Sequence, residues 1–386
     1  MKNEEPTRPA PPRLLLVVAS LQGGGAERQL SDMANYWAEK GWQVSLATWS
    51  GPEVEDFYPL DARVPRVSLE SGSAHMTEQS RIRVNLERIM RLRRLLKSTR
   101  PDAVLSFMTE SNLLAILAGA GLPVRVVVSE RVQPALHAAL PWTWRFLRRL
   151  LYRWADAVVA QTQDAARWLL RNCGTKVTVI PNALRSLPEP AGERRNSIVA
   201  VGRLTQQKGF DVLLKAFARI AHTVPDWRLA IVGEGEERQS LLRLRAQLGL
   251  DDRVEFVGQS EDVLGWMARA GLMVQPSRFE GFPNVVLEGM GLGTAVISAD
   301  CPSGPSEMIE DGVNGRLVPV DDVQRLAEVM AELIANPAER ARLGRAASAV
   351  RVRYRQDVAM DRWEECLLPQ FTKAAAERAN CLSQSG

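Results

Sequence analysis

The chain has little of what metal and disulfide scaffolds require. Its 386 residues include four cysteines (Cys173, Cys301, Cys366, Cys381) and three histidines (His75, His137, His222). The cysteines are scattered and no two form a CxxC pair, so neither a disulfide framework nor a structural zinc site is expected. Free thiols in a reducing compartment are the simplest account of them. No run of 18 apolar residues exists, which excludes a transmembrane helix; the longest candidate, Leu113–Val124, is too short. The first apolar run, Leu14–Ala19, follows Glu4, Glu5 and several prolines, unlike the basic start of a signal peptide. No GxxxxGK[ST] occurs. Gly23-Gly24-Gly25 misses the GxGxxG spacing because position 28 is Arg, and the second predicted strand ends Thr48-Trp49-Ser50, without an acidic residue for an adenosine ribose.

What is present points to an ordinary globular protein. Hydrophobic residues make up 46% and charged residues 24%, and the length suggests about two domains. Charge is uneven. The net charge is +4, but residues 1–190 hold 25 Lys+Arg against 18 Asp+Glu, leaving the remainder slightly acidic. An anionic partner of the first half is therefore expected. Two segments carry the excess. Arg81–Arg100 contains Arg81, Arg91, Arg93 and Arg94, with Glu87 as its only acid. Trp142–Ala155 sets Arg145, Arg148, Arg149 and Arg153 at helical spacing, with apolar residues one step away and three tryptophans, including Trp142 and Trp144. That is the pattern of a cationic interfacial helix, or of a surface helix packed on its own sheet. Anionic lipid or a lipid diphosphate suits it better than nucleic acid.

Short Val/Leu/Ile runs alternate with helical segments, which predicts α/β architecture with parallel sheets. Strands are expected at Leu14–Ala19, Trp42–Thr48, Ala103–Phe107, Val124–Ser129, Ala157–Ala160 and Val177–Ile180. After the Pro- and Gly-containing segment 184–196, read as a linker, strands recur at Ser197–Val201, Arg228–Val232, Val254–Val257, Leu272–Gln275 and Ala295–Ser298. The expected division is a disordered leader at 1–12, an acceptor and membrane-facing domain at 13–183, the linker, a donor domain at 197–360, and a C-terminal helix at 361–386 packing back on the first domain. Two doubly wound sheets in tandem would place a ligand in a central cleft, held by loops at the carboxyl ends of the strands.

Those loops carry the candidate chemistry. Gly202-Arg203-Leu-Thr-Gln-Gln-Lys208-Gly follows a strand and offers two cations to a diphosphate: a guanidinium fork and an ammonium point charge. Gly233-Glu-Gly235 permits close backbone approach. Beyond Gln275, Glu280 and Glu288 lie eight apart around Gly281, Phe282, Pro283, Asn284 and Val285, where a helix opens. A helix N-terminus offers free N–H groups, and a carboxylate one turn in can grip vicinal hydroxyls. Gly23–Gly25 would admit a substrate phosphate. His137 reads more naturally as a surface residue than as an acceptor group.

These motifs together resemble the family-4, GT-B glycosyltransferases. The stretches Leu21-Gln-Gly-Gly-Gly-Ala-Glu-Arg, Ser129-Glu130 and Trp144-Arg-Phe-Leu-Arg-Arg resemble the bacterial PglH-type enzymes, which add N-acetylhexosamine to polyprenyl-diphosphate-linked sugars. The resemblance implies two Rossmann-like domains and a retaining transfer of a hexose or N-acetylhexosamine from a nucleotide sugar, UDP-linked. It also implies no cofactor or metal, in keeping with the lack of an Asp-x-Asp pair. Arg203 and Lys208 would neutralise the diphosphate, with Gly202, Gly233 and Gly235 close by. Glu288 would hold the ribose, and Glu280 with the amides of Gly281–Asn284 the transferred sugar. Val257 and Gly258 would line the base pocket, and Gly23–Gly25 would cap the diphosphate. Where many relatives carry His after Ser-Glu, this chain has Arg131, which can donate hydrogen bonds but cannot act as a base. The implied setting is cytoplasmic, peripheral on the inner face of the membrane. Partners are a nucleotide sugar, a polyprenyl-diphosphate-linked saccharide and an anionic membrane surface, with no nucleic acid. A GT-B sugar-nucleotide epimerase, a glycosyltransferase with a soluble or other lipid acceptor, and a non-catalytic sugar-nucleotide-binding or nucleic-acid-binding protein are the competing readings.

Overall fold

The computed structural model describes residues 10–22, 24–51, 53–70, 78–136, 140–188 and 194–369. They form two compact units. The described residues of the first fall within Met1–Gln161, Ala165–Ile180 and Met360–Gly386; the second comprises Thr162–Asp164 and Pro181–Ala359. The expectations for Gly23, His75, His137 and the side chain of Arg81, and most of the expected leader and C-terminal tail, lie outside the described residues.

The first unit holds seven parallel strands: β1 Arg13–Val18, β2 Gln43–Thr48, β3 Arg66–Ser68, β4 Ala103–Phe107, β5 Arg125–Glu130, β6 Ala157–Ala160 and β7 Val177–Val179. Their order is β3-β2-β1-β4-β5-β6-β7, so the winding reverses between β1 and β4. Helices α1 Gly25–Glu39, α2 Glu78–Thr99, α3 Thr109–Gly119, α4 Trp142–Leu151 and α5 Gln163–Cys173 join the strands. Period-two alternation makes β1 serve two cores. Leu15 and Val17 pack in one with Leu92, Leu113 and Leu169, while Leu14, Leu16 and Val18 pack in the other with Leu30, Trp37 and Trp363. Burial on both faces explains why the strand reads as an unbroken apolar run. The C-terminal segment belongs to this unit: Trp363 lies 6.0 Å from the Phe107 ring, and Lys40 pairs with Glu364 at 2.7 Å.

The second unit has six parallel strands: β8 Arg195–Val201, β9 Arg228–Val232, β10 Val254–Gly258, β11 Ala270–Gln275, β12 Val296–Ala299 and β13 Arg316–Val318. Their order is β10-β9-β8-β11-β12-β13, reversing between β8 and β11. Among its helices are α6 Phe210–Ile220, α7 Arg238–Gln247, α8 Val263–Arg269 and α9 Asn284–Gly291. Ile198 and Ala200 face one core, Val199 and Val201 the other.

Of the expected linker 184–196, residues 189–193 lie outside the described residues. Residues 181–188 are part of the second unit. Leu184 is buried in its core and donates its N–H to the Tyr354 carbonyl at 2.7 Å, while Arg351 holds the Pro188 carbonyl at 3.1 Å. The three-residue edge strands β3 and β13 went unpredicted; each opens on an arginine and lacks the apolar run that revealed the equally short β7.

Candidate functional site

In an open parallel sheet the loops at the carboxyl ends of the strands, beside the winding reversal, form the natural ligand site. In the second unit these are the loops after β8 and β11. The first is shaped by close backbone contact. Gly202 donates to the Val232 carbonyl at 3.0 Å and Gly233 to the Gly258 carbonyl at 2.8 Å, which draws the ends of β8, β9 and β10 together. Gly233 has φ +142°, and a Cβ there would collide with the Gly202 carbonyl; one at Gly235 would collide with the Leu204 backbone. Only glycine fits at these two positions.

The two loops are tied to each other. Gln207 accepts the Arg278 N–H at 2.8 Å and its Nε2 donates to the Phe279 carbonyl at 2.8 Å. Lys208 Nζ reaches Glu280 Oε1 at 2.6 Å. The same oxygen accepts Ser277 Oγ at 2.7 Å and Gln275 Nε2 at 3.3 Å, so a buried carboxylate is held by three donors. Arg203, by contrast, is exposed. Nearby Cys301 is buried, and burial reinforced by the Glu280 charge pushes its thiol up to about 12, which leaves it inert.

Helix α9 opens at Asn284, where the Asn182 side chain donates to Asn284 Oδ1 at 2.7 Å. Asn284's own N–H is engaged by the Phe282 carbonyl at 2.9 Å, so of the amides expected to meet a sugar this one is already taken. Glu288 lies one turn in and is 3% exposed, paired with Arg185 Nε at 3.0 Å. Sequence reasoning missed Ser277, Gln275 and Arg185. Polar residues at the end of an apolar strand were a usable signal for the first two. Arg185 was hidden in the supposed linker.

The first unit treats its strand ends differently. Glu130, at the end of β5, is buried and accepts Thr109 Oγ1 at 2.9 Å and 3.0 Å, and also the Tyr152 hydroxyl. Asn112 Nδ2 donates to the Ser129 carbonyl and to Tyr152 Oη, both at 2.9 Å, and Ser106 Oγ donates to Asn112 Oδ1 at 2.7 Å. Burial beside the Glu130 charge holds the Tyr152 hydroxyl well above its ordinary pKa, so it remains a donor. Met108, on the β4–α3 connection, has φ +77°, an uncommon conformation that marks strain at this end of the sheet. Arg131 is buried, its guanidinium 4.2 Å from the centre of the Phe107 ring. Burial pulls its pKa down to about 9, which still leaves it cationic at neutral pH.

The basic segments divide between inside and outside. Arg148, expected to face lipid, is 1% exposed: its Nη1 lies 3.6 Å from Glu130 Oε1, its Nη2 donates to the Pro134 carbonyl, and it sits 4.7 Å from the Trp168 ring. It belongs to the α4 face that also carries Leu147 and Leu151, so a buried carboxylate recruits it inward. Arg93 is likewise corrected: it donates to the Ala118 and Ala120 carbonyls at 2.8 and 2.7 Å and so caps the end of α3. Arg91 is engaged by Glu87 at 2.6 Å and by the Glu70 carbonyl. Trp144 packs against the core. Arg94, Arg145 and Arg149 are exposed. The outer face of α4 and the turn after it shows Trp142 (74% exposed), Phe146, Leu150 and Trp154, each four residues from the last. On α2, which like α4 packs against α3, Ile82, Leu86 and Met90 form a second exposed stripe.

Comparison with known proteins places this geometry. The family model described as glycosyl transferases group 1 matches residues 187–350, and the glycosyl transferase 4-like domain matches residues 24–183. A Campylobacter jejuni relative named GalNAc-alpha-(1->4)-GalNAc-alpha-(1->3)-diNAcBac-PP-undecaprenol alpha-1,4-N-acetyl-D-galactosaminyltransferase is 30% identical over 330 residues, 84% of this chain and 89% of that protein. Among solved structures, sucrose-phosphate synthase from Thermosynechococcus elongatus is similar with a TM-score of 0.82 at 20% identity, covering 94% of this chain and all of that one. Anabaena Alr3699/HepE in complex with UDP is similar at TM-score 0.73 and 19% identity, covering 92% of this chain and 99% of that one. The two parallel-sheet units, the matched domains and these relatives make the chain a member of the GT-B glycosyltransferases, with a 4-like first domain and a group 1 second domain.

Proposed function

We propose that the protein transfers a hexose or N-acetylhexosamine, with retention, from a UDP-linked sugar to a sugar on a polyprenyl-diphosphate carrier, in the assembly of a cell-surface polysaccharide or glycan. The observation that carries this reading is the Lys208–Glu280 pair, which joins the two loops at the winding reversal of the second unit. Lys208 and the exposed Arg203 are placed to take a diphosphate, Glu280 to accept from hydroxyls of the transferred sugar, and Glu288 to accept from the ribose. UDP in the similar Anabaena structure supports the choice of base. The diphospho-undecaprenol substrate in the name of the Campylobacter relative supports the acceptor class.

In the proposed step the bond from the anomeric carbon to the diphosphate oxygen breaks as the acceptor oxygen bonds to the same face of that carbon. The acceptor proton passes to the departing phosphate. Fixed cations stabilise the charge developing on the leaving group, the role a divalent ion fills elsewhere. On the first unit, Arg131 is a candidate donor to phosphate or sugar oxygens. The outer stripe of α4, with Arg145 and Arg149 beside its aromatic residues, suits the interface of an anionic leaflet. Among the described residues no helix is long and apolar enough to cross a membrane.

The test is a screen of radiolabelled nucleotide sugars against lipid-diphosphate acceptors of known first sugar, in EDTA. Turnover under chelation, lost in Lys208→Ala and Glu280→Gln, is the expected result. Loss of turnover on chelation with recovery in magnesium would overturn the metal-free reading. Unchanged kinetics in Arg203→Ala and Lys208→Ala would overturn the assignment of the diphosphate site.

A further inference from the structure

Arg185 is not among the groups assigned to the diphosphate, the sugar or the ribose, yet it is paired with Glu288. Its backbone is held on both sides. Leu184 is buried and hydrogen-bonded to Tyr354, and both Leu184 and Leu187 pack over Gly291 at the end of α9, where a Cβ would displace them. Arg351 bridges the same neighbourhood, donating to the Gly291 carbonyl at 2.6 Å and to the Pro188 carbonyl at 3.1 Å. Arg185 thus approaches Glu288 from a backbone clamped to the helix that carries Glu288.

The pair is close but incomplete as a hydrogen bond. Arg185 Nε lies 3.0 Å from Glu288 Oε1, yet its N–H is off-line, and that shielded donor has no aligned acceptor among the described residues. A hydroxyl group both donates and accepts. One hydroxyl placed at this pair can give its proton to the carboxylate and take the guanidinium N–H on its oxygen, completing the arginine. A carboxylate alone accepts from any donor, whereas a carboxylate with an adjacent unsatisfied N–H favours an alcohol. We propose that Arg185 is a specificity-determining residue that, with Glu288, reads the ribose hydroxyls of the donor nucleotide. This rests on the assignment of Glu288 to the ribose made above.

The experiment measures binding of UDP, 2′-deoxy-UDP and 3′-deoxy-UDP by titration calorimetry to the full-length wild-type protein and to Arg185→Ala, Arg185→Lys and Arg185→Glu. Wild type is expected to prefer UDP to at least one deoxy analogue by roughly tenfold, the size of one hydrogen bond to a charged group. Arg185→Ala should shrink that preference to about twofold or less, and Arg185→Lys should keep a clear part of it. Equal binding of all three ligands to wild type would sink the ribose assignment itself. A wild-type preference that persists undiminished in Arg185→Ala would leave that assignment standing and overturn the role of Arg185. Should the alanine variant fail to fold, Arg185→Glu decides the same question, since its loss of the preference supports the role and its retention refutes it.

Discussion

The two sheets of this protein share one topology at their winding reversals and use it in opposite ways. In the second unit glycines let the loops after β8 and β9 approach closely, Arg203 stays exposed, and the loops after β8 and β11 set Lys208 against Glu280 at their meeting point. In the first unit the ends of β4 and β5 are filled by Glu130, Thr109, Asn112, Tyr152 and Arg148, all buried. In the proposed function one sheet end receives the donor. The other anchors a helix whose outer side displays aromatic and cationic residues. Both carboxylates are buried, and what separates them is the cation: Lys208 is partly exposed and can turn from Glu280 to a ligand, while Arg148 is buried with Glu130 and must keep its partner.

Substitutions can break this contrast in order of expected size. Lys208→Ala and Glu280→Gln should each lower kcat about 10²- to 10³-fold, as for loss of one preorganised electrostatic group, with a smaller loss of thermal stability than at the Arg148–Glu130 pair because Lys208 is partly exposed. Steady-state kinetics beside a melting curve checks both halves. Arg148→Ala or Glu130→Ala should do the reverse: stability falls by roughly 3–5 kcal/mol because one buried charge loses its partner. Denaturant titration reads this, and a variant as stable as wild type would show that the network is not the anchor inferred here. Replacing Arg148 and Glu130 together with apolar residues should cost less than the two single changes added together.

Smaller effects separate the two sides of α4. Arg145→Glu with Arg149→Glu should weaken sedimentation with anionic vesicles about fivefold for each positive charge removed, at about 1 kcal/mol per charge, and the difference should fade at high salt. Unaltered binding would remove the membrane role of this face. Arg93→Ala should leave vesicle binding unchanged and lower stability by about 1 kcal/mol, through loss of the bonds that cap α3. A vesicle defect in that variant would return Arg93 to the surface role its sequence context suggested.

How legible the molecule was in its sequence depended on the length scale of each signal. The parallel strands were readable because burial on both faces leaves an unbroken apolar run, as in Leu14–Val18. The loop residues Arg203, Lys208, Glu280 and Glu288 stood out because glycines flank them, and the structure brings Lys208 and Glu280 into contact. Arg148 misled because a helical spacing identifies neighbours on one helix but not what the rest of the fold presents to them. Arg145 and Arg149 read the same way in sequence and ended outside. Arg185 was invisible for a related reason: 103 positions separate it from Glu288, and only packing of the intervening chain brings them together.

Local pattern alone was enough for the alternating elements, the two-unit plan and the glycine-bordered loops, because each follows from residues a few positions apart. Which cation meets which carboxylate, and which arginine turns inward, depends on pairs distant along the chain. Such pairing follows from the cost of leaving a buried charge alone, and that cost exists only once the surrounding side chains have excluded water.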